Sequence, residues 1–202
     1  DVAPAKLAAL EALGKGGSVE VRVGAGTFEF GDWRSGGKGA LKVAGAGYST
    51  RIASLEADAA RVEIREVALK RLRVAGREAV LSNMWAGELR VDAKSAASES
   101  CVFGMGEELP VEVGAGAENV LFTDCAVLQV GKGVPPLLLS AGSGTALGFE
   151  NAVFFHAGGR DAFSLGGTAM GFRDFLLAVQ ESRSDWSRQR AERAFDPWKE
   201  EP

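Results

Sequence analysis

His156 is the chain's single histidine, and it opens the run His156-Ala157-Gly158-Gly159-Arg160-Asp161. An imidazole, a guanidinium and a carboxylate on one turn are the residue types of a base, an anion clamp and an orienting acid. Catalysis also needs a nucleophile beside the base, and the run supplies none. The plainer reading is a solvated corner, turned by Gly158 and Gly159, in which Asp161 bonds backbone. A second set of polar residues recurs with the chain: Asp124, Asn151 and Asp174 each stand two residues after a Phe, and Glu66 holds the corresponding place in an earlier segment. Stacked one strand apart, such carboxylates would sit ~5 Å from each other, similar to the separation in retaining glycosidases. Their repeated slot beside a turn favours a structural side-chain ladder, because Asn and Asp tolerate tight-turn dihedrals and bond neighbouring backbone.

Cys101 and Cys125 are 24 residues apart, and no C-x-x-C or Cys/His metal spacing exists. They read as two buried small hydrophobes. A disulfide is the alternative, and it needs Cβ atoms at about 3.8 Å. No metal or other cofactor is expected. Trp33 and Trp85 lie beside Asp32, Arg34 and Asn83, where an exposed indole can stack on a sugar ring or pack a loop against the body. Near the end, Glu181 to Phe195 is charged and helix-compatible, and Asp196-Pro197 should stop it. Trp186, Arg190 and Arg193 fall at helical spacings, and with Phe195 and Trp198 they offer the residue types that anchor interfaces. Such a segment suits either a docking tail or a lid over an open strand edge.

These residues need a framework. At 202 residues the chain fits one ordinary domain. With 46% hydrophobic and 25% charged residues it belongs to neither the disordered nor the membrane-embedded class. The net charge of −4, with acids and bases interspersed, argues against a nucleic-acid surface. No apolar run approaches the ~20 residues of a membrane-spanning helix. The opening Asp1-Val2-Ala3-Pro4 is compatible with a chain whose leader was removed, so an extracellular or periplasmic location is expected.

The 27 glycines, roughly twice average usage, punctuate short apolar runs. Leu7, Leu10 and Leu13 predict a short helix over Pro4 to Leu13. After Ser18 the period becomes two: Val19-Glu20-Val21-Arg22-Val23 alternates, as do many later triplets. Val113, Leu139 and Leu165 recur every 26 residues, each followed by a glycine-rich turn and a second apolar run ending in Phe122, Phe149 or Phe172. A unit of three short strands cannot bury its strand faces alone, so successive units must stack on a common axis. The expected fold is all-β: a right-handed parallel β-helix of about six coils over residues 1–179, capped by the N-terminal helix, with a charged helical segment over 180–202.

The runs Val19-Glu-Val-Arg-Val-Gly-Ala-Gly-Thr-Phe-Glu-Phe30 and Leu41-Lys-Val-Ala-Gly-Ala-Gly-Tyr-Ser-Thr-Arg-Ile52 resemble the opening coils of the pectin-lyase-like superfamily. Asn119-Val-Leu-Phe-Thr-Asp-Cys-Ala-Val127 resembles its later rungs, and the resemblance extends over roughly Ala5 to Val179. It implies the β-helix and says little about activity, because the fold hosts lyases, hydrolases, esterases, adhesins and scaffolds. The Gly-His-Gly segment of polygalacturonase-like members and the acid cluster and arginine of pectate lyases have no counterpart here. A non-catalytic scaffold or binding module is therefore expected, with a glycan or an envelope protein as partner. A small carbohydrate-active enzyme is the alternative, and it requires an exposed groove where Asp or Glu converges with Arg or Lys. A subunit of an assembly, stacked end to end or joined through the C-terminal segment, is the third reading.

Overall fold

The computed structural model describes residues 3–105, 108–129, 137–157 and 161–181. A helix, α1 (Ala3–Gly14), precedes β1 (Ser18–Arg22), β2 (Gly26–Phe28), β3 (Gly31–Arg34) and β4 (Ala40–Ala44). Three long strands follow: β5 (Thr50–Arg65), β6 (Ala68–Ser82) and β7 (Trp85–Glu99). Then come β8 (Val102–Gly104), β9 (Val111–Val113), β10 (Asn119–Thr123), β11 (Ala126–Gln129), β12 (Leu139–Ala141), β13 (Ala146–Glu150), β14 (Val153–His156), β15 (Phe163–Leu165) and β16 (Thr168–Met170). The last described element is a helix, α2 (Phe172–Glu181).

The fold is all-β and its pairing is parallel except for the closing β15–β16 hairpin. The registers resolve into three ladders that the chain visits in fixed order. The first joins β1, β4, residues 61–65, 78–82 and 95–99 of the long strands, β10 and β13. The second joins β2, the starts of β5, β6 and β7, then β8, β11 and β14. The third joins β3, the middles of β5 to β7, then β9, β12 and β15. Each ladder is seven levels deep, one more than the repeat suggested. Leu55, Leu72 and Leu89 pair at steps of only 17 residues, so the long strands fit extra levels into the same length.

Alternation puts one side chain of every pair inside. The third ladder stacks Leu55, Leu72, Leu89, Val111, Leu139 and Phe163 inward. The first stacks Val43, Ile64, Leu81, Ser98, Phe122 and Phe149. One continuous core results. The expected superposition of Val113, Leu139 and Leu165 is corrected here. Leu139 pairs with Val111 and Phe163, while Ala141 takes the place between Val113 and Leu165. The true steps are 28 and 24 residues, not 26 twice. A two-residue slip leaves every side chain on its own face, so hydrophobic pattern cannot detect it.

The polar slot is a conformational column. Glu66, Asn83, Ser100, Asp124 and Asn151 have φ of 57°, 48°, 54°, 52° and 51°. Each turns the chain from the first ladder into the second through the left-handed region, where Asn and Asp are enriched among non-glycine residues. Asn151 Nδ2 donates to Asp124 Oδ1 at 3.0 Å, so part of the expected side-chain ladder is formed. Asp174 does not belong to it. Residues 172–181 are α2, with Phe172, Phe175 and Val179 buried over the last level and Asp174 exposed in the first turn. An acid there complements the helix dipole. This helix lies mainly within the 1–179 expected to be β-helix, because its apolar spacing of three and four overrides the repeat. The charged helical segment expected over 180–202 lies almost wholly outside the described residues. At the other end α1 seats Leu13 fully, whereas Leu7 is 68% exposed.

Candidate functional site

The outer residues of the three ladders form three chemically distinct faces. On the third ladder the outward column is Asp32, Glu56, Arg73, Arg90, Glu112. With Arg71, Glu88, Glu108 and Leu109 it lines a groove of about 500 Å³. This is the convergence of acids and arginines that the enzyme reading requires. The groups already answer one another. Glu56 takes Arg34 at 2.6 Å and Arg73 at 3.0 Å; Asp92 takes Arg73 at 2.7 Å and Arg90 at 3.0 Å. Arg90 reaches Glu112 at 3.1 Å, and Arg71 reaches Glu88 at 3.1 Å. Hydrogen bonding to Asp92, then its charge, holds the Arg90 guanidinium above its ordinary range. Parallel strands in register produce this zigzag, because opposite charges one level apart are ~5 Å neighbours.

The first ladder starts in the same manner. Arg22 donates to Glu20 at 2.8 Å and holds that carboxyl below the usual carboxylate range, and Lys42 meets Glu63 at 3.2 Å. Its outward column then turns apolar through Val80, Ala97 and Leu121, the last 39% exposed. The second ladder is apolar for most of its height. Ala68, Trp85, Val102, Ala126 and Val153 form one outward column, and Leu128 and Phe155 pair in the next. Val153 is 43% and Phe155 45% exposed. Large apolar side chains gathered on an outer surface mark contact sites far more often than scattered ones do.

The residues singled out in the sequence differ in burial. His156 is 2% exposed and pairs in register with Gln129, also buried, while Asp161 is exposed. The imidazole is thus part of the wall of the core. Arg160 lies outside the described residues, as do Trp186, Arg190, Arg193, Phe195 and Trp198. Trp33 is no sugar platform: alternation points it inward at 5% exposure, 6.1 Å from Phe30, with Lys6 Nζ 5.4 Å from its ring centroid. Its Nε1 is buried without a hydrogen-bond partner. Trp85 faces outward and is half-buried at the head of β7. Cys101 and Cys125 stack on adjacent levels, buried and unbonded. Each thiol donates to a backbone carbonyl, Cys101 to Glu99 and Cys125 to Thr123. The neighbouring Cys125 favours ionisation at Cys101, and Cys101 together with burial pushes the Cys125 thiol far above the usual range.

Among the described residues no group of three or more His, Cys, Asp or Glu is placed to hold a metal ion, and no helix is long and apolar enough to cross a membrane. Comparison with known families, with characterised proteins and with solved structures finds no match. The charge zigzag and the apolar face both escaped the sequence reading. Their signal was present in the outward members of each alternating run, which carry meaning only once the levels are aligned.

Proposed function

We propose that the chain is a right-handed parallel β-helix of the pectin-lyase-like kind that works as a non-catalytic binding module, with the apolar outer face of the second ladder as its contact surface. The helical reading is supported by three parallel ladders visited in one order, level after level. Parallel crossovers are right-handed in about 98% of cases, and steps varying between 17 and 28 residues do not suit the strict hexapeptide rhythm of left-handed β-helices. The observation that carries the function is Trp85, Val102, Ala126, Leu128, Val153 and Phe155 side by side on an outer face. The third ladder, built from the same strands, covers its outside with ion pairs.

A carbohydrate-active enzyme is the second reading, favoured by the groove with Arg71, Arg73, Arg90 and Glu88. Exposed ion pairs contribute about 0–1 kcal/mol each, so a charged sugar could exchange with them. The deciding experiment incubates the full chain with a panel of acidic polysaccharides and follows unsaturated uronates and reducing ends. We expect no product, together with binding of an apolar fluorescent dye that Phe155→Glu changes severalfold. Product formation that Arg73→Ala abolishes would replace the first reading by the second.

A further inference from the structure

The apolar face of the second ladder has an acidic border. Glu99 and Glu150 are exposed at the end of first-ladder strands, on either side of Thr123, and Asp124 begins the turn beside them. At Glu56, Glu63, Glu78, Glu88 and Glu112 the outward acid is answered by a base on a neighbouring level. Glu99, Asp124 and Glu150 form no ion pair among the described residues, and Asp124 accepts a side-chain hydrogen bond from Asn151. Leu121 lies on the far side of this row. The surface therefore runs apolar, acidic, apolar, and the ligand that fits it carries arginines between aromatic side chains.

Such a sequence follows α2 directly. Residues 182–198 hold Arg183, Arg188, Arg190 and Arg193 against Asp185, Glu192 and Asp196, with Trp186, Phe195 and Trp198 among them. We propose that residues 182–198 of this chain occupy the apolar face of the second ladder, with their arginines on Glu99, Asp124 and Glu150. The proposal rests on the reading of that face as the contact surface and names its resident occupant, which an external partner would have to displace. Reach is not limiting. Extended, 17 residues span up to about 55 Å, and seven levels at ~4.8 Å rise only about 30 Å. The segment leaves from α2, which packs on β13 and β15 at the level of Val153 and Phe155. A second copy is the poorer occupant, since a two-fold contact through this face sets two acidic rows against each other.

Limited trypsin digestion of the full chain tests this, with cleavage after Arg188, Arg190 and Arg193 followed by intact mass. Phe155→Glu and the pair Glu99→Lys with Glu150→Lys should each speed cleavage about tenfold while circular dichroism stays unchanged. Trp186→Ala with Trp198→Ala alters no residue of the ladders, and it should raise apolar-dye binding severalfold. Cleavage in the unsubstituted chain as fast as in Phe155→Glu overturns the proposal, as does dye binding unchanged by the tryptophan substitutions. If the unsubstituted chain then sediments as a dimer that Phe155→Glu splits, a second copy holds the face; the proposal fails and the contact-surface reading stands. If cleavage, dye binding and sedimentation all ignore Phe155→Glu, both fall.

Discussion

Between β5 and β7 the chain closes a level every 17 residues; from Val102 onward it takes 24 to 28. The three ladders are common to both regions, so the added residues go into the corners. The interior follows the perimeter. The tight levels are filled by Leu69, Ala79, Leu81, Ala86 and Ala96, the wide ones by Phe103, Phe122, Phe149, Phe154 and Phe163. Interiors pack at near-constant density, so a longer level requires a bulkier side chain on its inner side. Phe122 and Phe149 stack at 5.6 Å with ring planes 13° apart, and Phe154 meets Phe149 edge-on at 5.1 Å. The outsides differ as well. The tight levels wear the ion-pair zigzag, and the wide ones expose Leu121, Val153 and Phe155.

The strongest challenge to this contrast is removal of a ring from a wide level. Phe154→Ala takes away contacts to Phe149, Phe163 and Phe172, and we expect a loss of about 3–5 kcal/mol in urea unfolding. Leu81→Ala, in a tight level between Ile64 and Ser98, should cost about 2–3 kcal/mol. The reverse order would mean that perimeter does not govern the core.

Glycines at close approaches come next. A Cβ on Gly76 would lie 1.8 Å from Ala59 O at φ +114°, and one on Gly104 1.8 Å from Leu128 O at φ +106°. Gly76→Ala should cost about 2–3 kcal/mol, because a 17-residue level has no slack. Gly104→Ala, next to the longer corner before β9, should cost about 1 kcal/mol less. Equal losses would show that corner length gives no relief.

Smaller effects refine the boundary between the regions. Ser98 stacks between Leu81 and Phe122, and its Oγ is buried without a partner. Ser98→Ala should raise stability by about 1 kcal/mol, seen as a higher urea midpoint. Asn151→Ala should cost about 1 kcal/mol through the lost bond to Asp124 and the left-handed φ, whereas Asn151→Gly should be close to neutral. Last is Arg73→Ala on the tight levels' outer face. Exposed ion pairs of this kind predict a loss of under about 1 kcal/mol that disappears in 1 M NaCl.

Much of the architecture was legible because side-chain period and glycine punctuation are local. The helix over Pro4 to Leu13, the alternating strands, the polar corner at Asp124 and Asn151 and the stacking of Phe122 on Phe149 all follow from patterns a few residues wide. Asn83 and Ser100 were missed as corner residues although they stand 17 and 34 positions after Glu66. The repeat most visible in the sequence steps near 26 residues, and the tight levels keep another step. The α2 segment misled for the opposite reason, since Phe172 and Asp174 imitate a rung while their spacing to Phe175 and Val179 is that of a helix.

The candidate surfaces were far less legible than the scaffold. Whether a residue points in or out is decided by alternation within its own strand, so the sequence by itself determined the all-β class, the inward residues and the corner types. Which outward residues become neighbours depends on how many residues each corner takes between levels. Arg73 meets Asp92 and Glu56, and Val102 lines up with Ala126 and Val153, only through register steps of 17, 24 and 27 residues between paired strands. That register belongs to the tertiary structure, because no local property of the chain records the length of a connection elsewhere.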